Sequence, residues 1–365
     1  MSAGSRRLAS ACVLAVVATV ACGADDDTAD EPTTTVESSA VADPGSGFQI
    51  PGYPAFSTPP TMLEVVEERD DTVVVRHQFG QVEIPSDPSR VYAEATTLAP
   101  SLLLDLPLVG ADDWGEFREL PNADELFDGV DIAPAGETNY ERIAALDPDL
   151  ILTWSSVVFA DDPEDAYDRY SQIAPTIVFN DNMYSFWRQA SVDLGGALGS
   201  DVEDAFAGFD RAVRDACAPA QERIGDETVA RLTISGDVIK IHGVGGYYGA
   251  TPDDLIPAGD TQWFYEYCEL VPSSELEDRF DLLNDDDANI EISAEVLPEL
   301  EADHLIVVVQ GDDDEPAILD SPIWASIPAV EAGNVYVLPS VAGYSDDLAI
   351  DALDTLGDAV ASGGS

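Results

Sequence analysis

The chain has 365 residues, and its 15 lysines and arginines face 72 aspartates and glutamates, which gives a formal net charge of −57. Such an excess of negative charge repels nucleic acid and anionic membrane surfaces, so we exclude both as partners. Two interpretations of the charge stay open: a well-solvated acidic surface suited to saline surroundings, or attraction of a cationic ligand.

The first 21 residues (1–21) have the pattern of a secretory signal that is removed from the mature protein. Arg6 and Arg7 give it a basic start, and Leu8 to Ala21 are almost wholly apolar. The segment from Thr19 to Cys22 resembles a bacterial lipobox, with Thr19 where leucine is usual. We therefore expect export and lipidation of Cys22, and the alternative is ordinary cleavage nearby.

Residues 22–60 are predicted to form a disordered, acidic tether. Gly23 to Gly47 are rich in Asp, Glu, Thr, Ser and Ala without an apolar period, so this stretch cannot offset the entropy lost on ordering. A flexible linker between a lipid anchor and a globular body allows the body to move over the membrane surface. We expect a membrane-anchored lipoprotein at the cell surface or in the periplasm, attached to the membrane through the lipid alone.

Residues 61–192 are predicted to form an N-terminal α/β lobe. β-Branched alternation on both sides of Phe79-Gly80 indicates a hairpin, and the strand Val91 to Ala93 follows a turn. Asn139 to Leu152 then has the pattern of a short helix, a Pro-containing turn and an apolar strand. Strands that alternate with helices at this spacing predict a parallel sheet covered by helices.

Residues 193–226 are predicted to form a connecting helix, and residues 227–365 a C-terminal α/β lobe. Between Asp201 and Glu222 the apolar residues recur along one helical stripe, over a length of about 30 Å. Ile292 to Val309 then repeats the helix, Asp and strand pattern of the first lobe. The predicted fold class is α/β, with two α/β lobes of mainly parallel sheet joined by one long rigid helix.

Two cysteines, Cys217 and Cys268, lie in the predicted globular body. In an exported protein a disulfide between them can persist, so we favour a bridge over the alternative of two buried thiols. Metal binding by this pair is not expected, because neither has a His or a second Cys at ligand spacing.

Six segments of the body, in the right order, carry a resemblance to one family. They are Pro88 to Val91, Glu141 to Leu152, Gln172 to Thr176, Ser293 to Asp303, Ser321 to Val330, and Gly333 to Tyr336. The chain resembles class III substrate-binding proteins of iron–siderophore and cobalamin ABC importers, the helical-backbone type. The resemblance implies a monomer that holds its ligand in a cleft between two lobes and docks on a permease with its ATPase.

The same resemblance implies that one glutamate of each lobe pairs with arginines of the permease. The matching positions are Glu141 and Glu295, each near the start of a predicted helix. Each could instead be an ordinary solvated acid, because the helix dipole favours negative charge there. Since the two hold equivalent places in two lobes, we favour docking, in which charge complementarity sets register and encounter.

Ligands of α/β sheets gather beyond the carboxyl ends of strands, which selects loops at residues 94–97, 112–118, 154–156, 242–250 and 310–314. The candidate ligand-binding residues in these loops are Trp114, Arg118, Trp154, His242, Tyr247, Tyr248 and Gln310. Aromatic side chains offer flat contact area, and the guanidinium of Arg118 can pair with anionic oxygens of a ferric chelate. Each aromatic residue could alternatively be a packing residue.

Other chemistry has less support in the sequence. His242 with Tyr247 or Tyr248 could ligate iron or haem directly, but a hard ferric ion usually needs more fixed ligands than this loop offers. The sequence has no nucleophile elbow and no His-Glu-x-x-His motif, so the alternative from another class is a carboxylate-based extracellular enzyme. We expect a non-enzymatic binding protein without cofactor or metal site, whose ligand is a ferric siderophore, with cobalamin or haem as alternatives.

Overall fold

The computed structural model describes most of the predicted globular body. The described residues are 60–113, 115–134, 138–180, 183–200, 202–247, 255–257, 263–282, 289–310, 316–339 and 345–363. The predicted signal, the tether up to residue 59, Cys22, Trp114 and Tyr248 lie outside them. Within the described ranges, no helix combines the length and apolarity that crossing a bilayer requires.

A three-stranded antiparallel sheet comes first in the described fold. Its strands are β1 (Glu64–Glu68), β2 (Thr72–His77) and β3 (Gly80–Pro85), in that order. Gly80 has a φ of 119°, a conformation that glycine adopts without a steric penalty. The hairpin predicted around Phe79-Gly80 is confirmed, with β1 added along its edge.

The first lobe contains a five-stranded sheet in which every strand is parallel to its neighbours. The strands are β4 (Val91–Glu94), β5 (Leu108–Asp113), β6 (Asp131–Pro134), β7 (Leu150–Thr153) and β8 (Thr176–Val178). Their order is β6-β5-β4-β7-β8. Leu150, Ile151 and Leu152 of β7 are all fully buried, as expected for a parallel strand covered on both faces.

In the described residues, seven α-helices lie between and after these strands. They are α1 (Leu98–Leu103), α2 (Glu116–Glu119), α3 (Ala123–Leu126), α4 (Tyr140–Ala145), α5 (Ser155–Val158), α6 (Pro163–Ser171) and α7 (Trp187–Ala197). The stretch 112–118 was expected to be a loop. Instead β5 continues to Asp113, and Arg118 lies in α2. Asp112 and Asp113 are both buried, as expected for consecutive residues of a strand that is covered on both faces.

The connecting helix α8 spans Glu203–Ile224, close to the predicted stretch. Its buried stripe includes Phe206, Phe209 and Val213. A disulfide joins Cys217 of this helix to Cys268 of the second lobe, and both residues are buried. The helix is therefore covalently fixed to the lobe that follows it.

The second lobe has eight described strands. They are β9 (Thr228–Ser235), β10 (Val238–His242), β11 (Gly245–Tyr247), β12 (Leu255–Pro257), β13 (Val271–Pro272), β14 (Asn289–Ile292), β15 (His304–Val309) and β16 (Val335–Leu338). The main sheet has the order β14-β10-β9-β15-β16, with β13 beside β9 and a separate β11-β12 pair. β9, β15 and β16 are parallel, but β10 is antiparallel to both of its neighbours.

The second sheet is therefore mixed, where a mainly parallel one was predicted. A two-residue turn at Gly236-Asp237, with Gly236 at a φ of 57°, reverses the chain directly after β9. The helical segments of this lobe are Trp263–Tyr267, α9 (Glu275–Asp278), Ala294–Glu299, Trp324–Ser326, α10 (Pro328–Glu331) and α11 (Asp346–Ala361).

One hydrophobic core extends from the first lobe through α8 into the second. It includes Phe117 and Trp187 of the first lobe, Phe209 of α8, and Leu232 and Ile306 of the second lobe. The C-terminal helix α11 packs along α8. The connecting helix is thus held by side-chain packing on both sides.

Candidate ligand-binding cleft and docking surface

Glu94 organises the carboxyl edge of the first sheet. It ends β4, is 2% exposed, and its carboxylate accepts hydrogen bonds from the segment that follows β7. The donors are the Thr153 hydroxyl, the Trp154 amide at 3.0 Å, the Ser155 hydroxyl at 2.7 Å, and the amide and hydroxyl of Ser156 at 2.6 and 2.7 Å. Because hydrogen bonds to a carboxylate are strong, this one side chain fixes the loop at 153–156.

Asp112 lies opposite Glu94 on the neighbouring strand β5. Burial raises the pKa of the Asp112 carboxyl to about 8, and the nearby charge of Glu94 contributes to the rise. Its Oδ1 accepts a hydrogen bond from the Ala95 amide at 2.9 Å, and Ala95 has a positive φ of 42°. We therefore expect Asp112 to carry its proton at neutral pH.

Arg118 is held at the same edge by an ion pair. Its Nε lies 3.0 Å from Oδ2 of Asp113, the last residue of β5. The Asp113 side chain is fully buried, whereas that of Arg118 is 44% exposed. The geometry leaves the outer face of the guanidinium accessible while its charge is compensated from below.

Trp154 follows β7, but most of its ring is buried. It is 5% exposed and belongs to the core cluster beneath the first sheet. Its ring contacts Phe159 edge-on, with centroids 5.4 Å apart, and Phe159 is 67% exposed. The accessible aromatic surface in this region is therefore that of Phe159, a residue that the sequence reasoning missed because it lies beyond the end of α5.

Gln310 follows the carboxyl end of β15 in the second lobe. It is half-buried, and its backbone amide donates to the carbonyl of Ile234 at 2.9 Å. Gln310 is thus placed where the carboxyl-end rule predicts ligand contacts.

His242 has a different position from the one expected. It ends β10, an antiparallel strand, at the register position opposite Arg231 in the middle of β9. The ring is buried, and its Nε2 lies 2.8 Å from the Thr233 hydroxyl. The carboxyl-end rule applies to parallel strands and does not select this residue. Tyr247 lies in β11, and Tyr248 falls outside the described residues.

The two predicted docking glutamates occupy matching positions. Glu141 lies in the first turn of α4, which follows β6, and Glu295 lies in the first turn of the helical segment that follows β14. Both are exposed. Each turn is capped by the preceding polar residue, since Asn139 accepts from the Arg142 amide at 3.0 Å and Ser293 accepts from the Glu295 amide.

The ionisable side chains show no preformed metal centre in the part of the chain that the structure describes. Across those residues, no group of three or more His, Cys, Asp or Glu side chains is arranged to hold a metal ion.

Comparison with known proteins identifies the family. The family model described as periplasmic binding protein matches residues 91–342, well over half of the chain. The chain belongs to this family. The resemblance to class III substrate-binding proteins is confirmed, and so is the expectation of a non-enzymatic protein, because the family consists of transport proteins.

Two curated relatives of this periplasmic binding protein align over most of its length. The iron(3+)-hydroxamate-binding protein FhuD of Bacillus subtilis is 24% identical over 281 residues, which cover 76% of this chain and 82% of the relative. The ferric enterobactin-binding periplasmic protein FepB of Escherichia coli O6:H1 is 26% identical over 299 residues, which cover 76% and 86%.

A solved structure confirms the fold class. The FhuD protein from S. pseudintermedius superposes with a TM-score of 0.58, at 21% identity, over 80% of this chain and 98% of that chain. The two-lobe α/β architecture of this periplasmic binding protein, predicted from the sequence, is that of the FhuD fold.

Proposed function

We propose that this chain is an exported, lipid-anchored solute-binding protein that captures a ferric siderophore between its lobes and delivers it to an ABC importer. The observation that carries this proposal is that both curated relatives, each aligned over 76% of the chain, are named for binding ferric siderophore complexes. The exposed and matched Glu141 and Glu295 support delivery to a permease and its ATPase. The protein acts as a monomer and needs no cofactor of its own.

The ligand contacts in this proposal come from both lobes. In the first lobe they are the exposed face of Arg118, the rim of Trp154 and the neighbouring Phe159, all beside the loop that Glu94 fixes. The sequence prediction adds Trp114 in the first lobe. In the second lobe Gln310 contributes, together with Tyr247 and Tyr248 from the sequence prediction. His242, the remaining residue of the sequence prediction, is buried with its Nε2 2.8 Å from the Thr233 hydroxyl.

The anchor in this proposal is Cys22, with residues 22–60 as the tether. Replacement of Cys22 by alanine in the producing cell should move the protein from the membrane fraction to the soluble exported fraction. Retention of the Cys22→Ala variant in the membrane would contradict lipid anchoring without affecting the ligand proposal.

Ligand capture is tested by titrating the purified mature protein with ferric siderophores while its tryptophan fluorescence is followed. We expect saturable quenching by at least one ferric complex and none by the iron-free siderophore. Trp154→Phe should reduce the amplitude of quenching, whereas Trp324→Phe, a buried residue of the second lobe, serves as the control. Parallel titrations with cobalamin and haem test the alternatives, and binding of either without any ferric siderophore would overturn the proposal.

A further inference from the structure

The structure describes almost all of the basic residues of the chain. Of the 15 lysines and arginines in the sequence, all except Arg6 and Arg7 lie among the described residues. The structure therefore shows where this acidic body can and cannot offer positive charge to a ligand.

In the first lobe, every arginine on a segment that follows a strand of the parallel sheet is paired with a carboxylate. The pairs are Arg118 with Asp113 at 3.0 Å, Arg142 with Asp131 at 3.0 Å, Arg169 with Asp165 at 2.7 Å, and Arg188 with Asp210 at 3.1 Å. Arg118 is the one placed directly after a strand end at the carboxyl edge, and its partner Asp113 is buried beneath it. This lobe therefore presents no uncompensated arginine at that edge in the described residues.

The basic residues of the second lobe are placed elsewhere. Arg231 is fully buried within β9, and Arg279 pairs with Glu299 at 2.7 Å. Lys240 lies in the middle of β10, where its register neighbours are Thr233 and Glu291. The sequence that follows Gln310 at the carboxyl end of β15 is Gly-Asp-Asp-Asp-Glu, with no basic residue.

Ferric siderophore complexes differ in charge according to the chemistry of their iron ligands. Each hydroxamate carries a single negative charge, so three of them neutralise ferric iron, and an appended amine makes the complex a cation. Each catecholate carries two negative charges, so a tris-catecholate complex remains a strong anion. α-Hydroxycarboxylate complexes are anionic as well.

Resting on the proposed function, we propose that the cargo of this protein is a ferric tris-hydroxamate complex that is neutral or cationic. At the carboxyl edge of the first sheet an anionic complex would meet Arg118 already paired with Asp113, under the negative potential of the whole body, and like charges brought together are strongly unfavourable. A cationic complex is instead attracted during its approach. A hydroxamate oxygen of a neutral complex can still accept a hydrogen bond from the exposed face of Arg118, whose charge is compensated by Asp113.

The test compares three ferric probes of different charge on the purified mature protein: ferrioxamine B, a cation; ferrichrome, which is neutral; and ferric enterobactin, a trianion. We expect ferrioxamine B or ferrichrome to bind on the order of 100-fold or more tightly than ferric enterobactin at low salt. Between about 0.02 and about 0.5 M NaCl, the affinity for ferrioxamine B should fall, while that for ferrichrome should change little, because salt screens only the charged ligand.

The outcomes separate this inference from the proposed function. Ferric enterobactin binding as tightly as the hydroxamates would overturn the charge inference and leave siderophore capture intact. Binding of none of the three, nor of any other ferric chelate, would overturn the proposed function itself.

The role of the Arg118–Asp113 ion pair can be tested directly with a variant. Asp113→Asn removes the compensating charge and should raise the affinity for ferric enterobactin about 10-fold while lowering that for ferrioxamine B. Because Asp113 is buried, circular dichroism and thermal unfolding of the variant are measured first. An unfolded variant leaves the salt dependence of the wild-type protein as the deciding measurement, and equal salt slopes for the three probes would overturn the inference.

Discussion

Asp149 and Asp303 have matching roles in the two lobes, since each precedes a central strand and is hydrogen-bonded to the start of the adjacent parallel strand. Asp149 accepts from the amide and hydroxyl of Ser89 at 2.8 and 2.7 Å, and from the Arg90 amide at 2.9 Å. Asp303 accepts from the amide and hydroxyl of Thr228 at 2.9 and 2.7 Å. Each aspartate thereby fixes the register of β7 on β4, or of β15 on β9.

Removal of this register contact should destabilise the first lobe. Asp149→Ala leaves the Ser89 and Arg90 amides without their acceptor, and we expect the free energy of unfolding to fall by about 1–3 kcal/mol. Asp161→Ala, at an exposed turn, is the control and should change it by less than about 0.5 kcal/mol. Urea denaturation at neutral pH measures both, and equal effects of the two substitutions would contradict the role of Asp149.

The same contact has a pH dependence of known sign. Burial by itself would raise the pKa of Asp149, but the hydrogen bonds from Ser89 and Arg90 outweigh it and the pKa lies below the ordinary value. Since the folded state holds the carboxylate more strongly than the unfolded state, the stabilisation is present above the ordinary pKa of about 4 and is lost as the pH falls below it. The difference in free energy of unfolding between the wild type and Asp149→Ala should therefore be smaller when urea denaturation is measured near pH 3.

The contribution of Asp112 to stability should depend on pH in the opposite direction. Its pKa is raised from the ordinary 3.8 to about 8 because the carboxyl is buried, so the folded state binds an extra proton and stability declines as the pH rises between these values. Asp112→Asn imitates the protonated form. At pH 8 we expect the free energy of unfolding of this variant to exceed that of the wild type by about 1 kcal/mol or more. The exposed Asp128→Asn is the control, and pH–stability curves of wild type and Asp112→Asn that run parallel would show that Asp112 does not titrate in this way.

Arg188 ties α7 of the first lobe to the connecting helix. It pairs with Asp210, and its guanidinium lies 4.7 and 5.2 Å from the ring centroids of Phe206 and Phe209. Arg188→Met keeps much of the apolar contact but removes the charged hydrogen bond, and should lower the free energy of unfolding by about 1.5–3 kcal/mol. Arg211→Met, at an exposed position on the connecting helix, should leave the free energy of unfolding almost unchanged. Similar unfolding midpoints for the two variants would argue against a structural role of Arg188.

The disulfide between Cys217 and Cys268 closes a loop of 51 residues in sequence separation. A disulfide stabilises the folded protein because it reduces the entropy of the unfolded chain, and for a loop of this length the expected stabilisation is about 4 kcal/mol. Measured stabilisation by disulfides is commonly about 2–4 kcal/mol. Replacing both cysteines by alanine should lower the thermal midpoint accordingly, as followed by calorimetry. The oxidised protein treated with a mild reductant without denaturant should keep its midpoint, because both sulfurs are buried.

Charge reversal at the docking positions separates delivery from capture. Glu141→Arg and Glu295→Arg should each slow siderophore uptake by cells about 10-fold or more, and together abolish it, while ligand affinity of the purified protein stays unchanged. The matched controls are Asp168→Arg on α6 and Glu331→Arg on α10, both exposed. Loss of affinity in the first pair would place those glutamates in the cleft.

Sequence patterns were informative where the signal is local or periodic. The hairpin at Phe79-Gly80, the connecting helix and the two helix–Asp–strand units follow from spacing and apolar periodicity within short segments. The arrangement around Glu94 could not be predicted, because its hydrogen-bond donors lie about 60 residues away along the chain and come together only when β4 and β7 pair. His242 was selected by a rule for parallel strands, and the turn at Gly236-Asp237 places it on an antiparallel one.

The shared interior that links Trp187, Phe209 and Leu232 has a consequence for how the protein can be divided. If the chain were cut on either side of α8, each fragment would expose an apolar surface that is covered by the other fragment in the intact protein. Separately expressed halves should therefore aggregate, and heating the intact body should give a single cooperative melt instead of two.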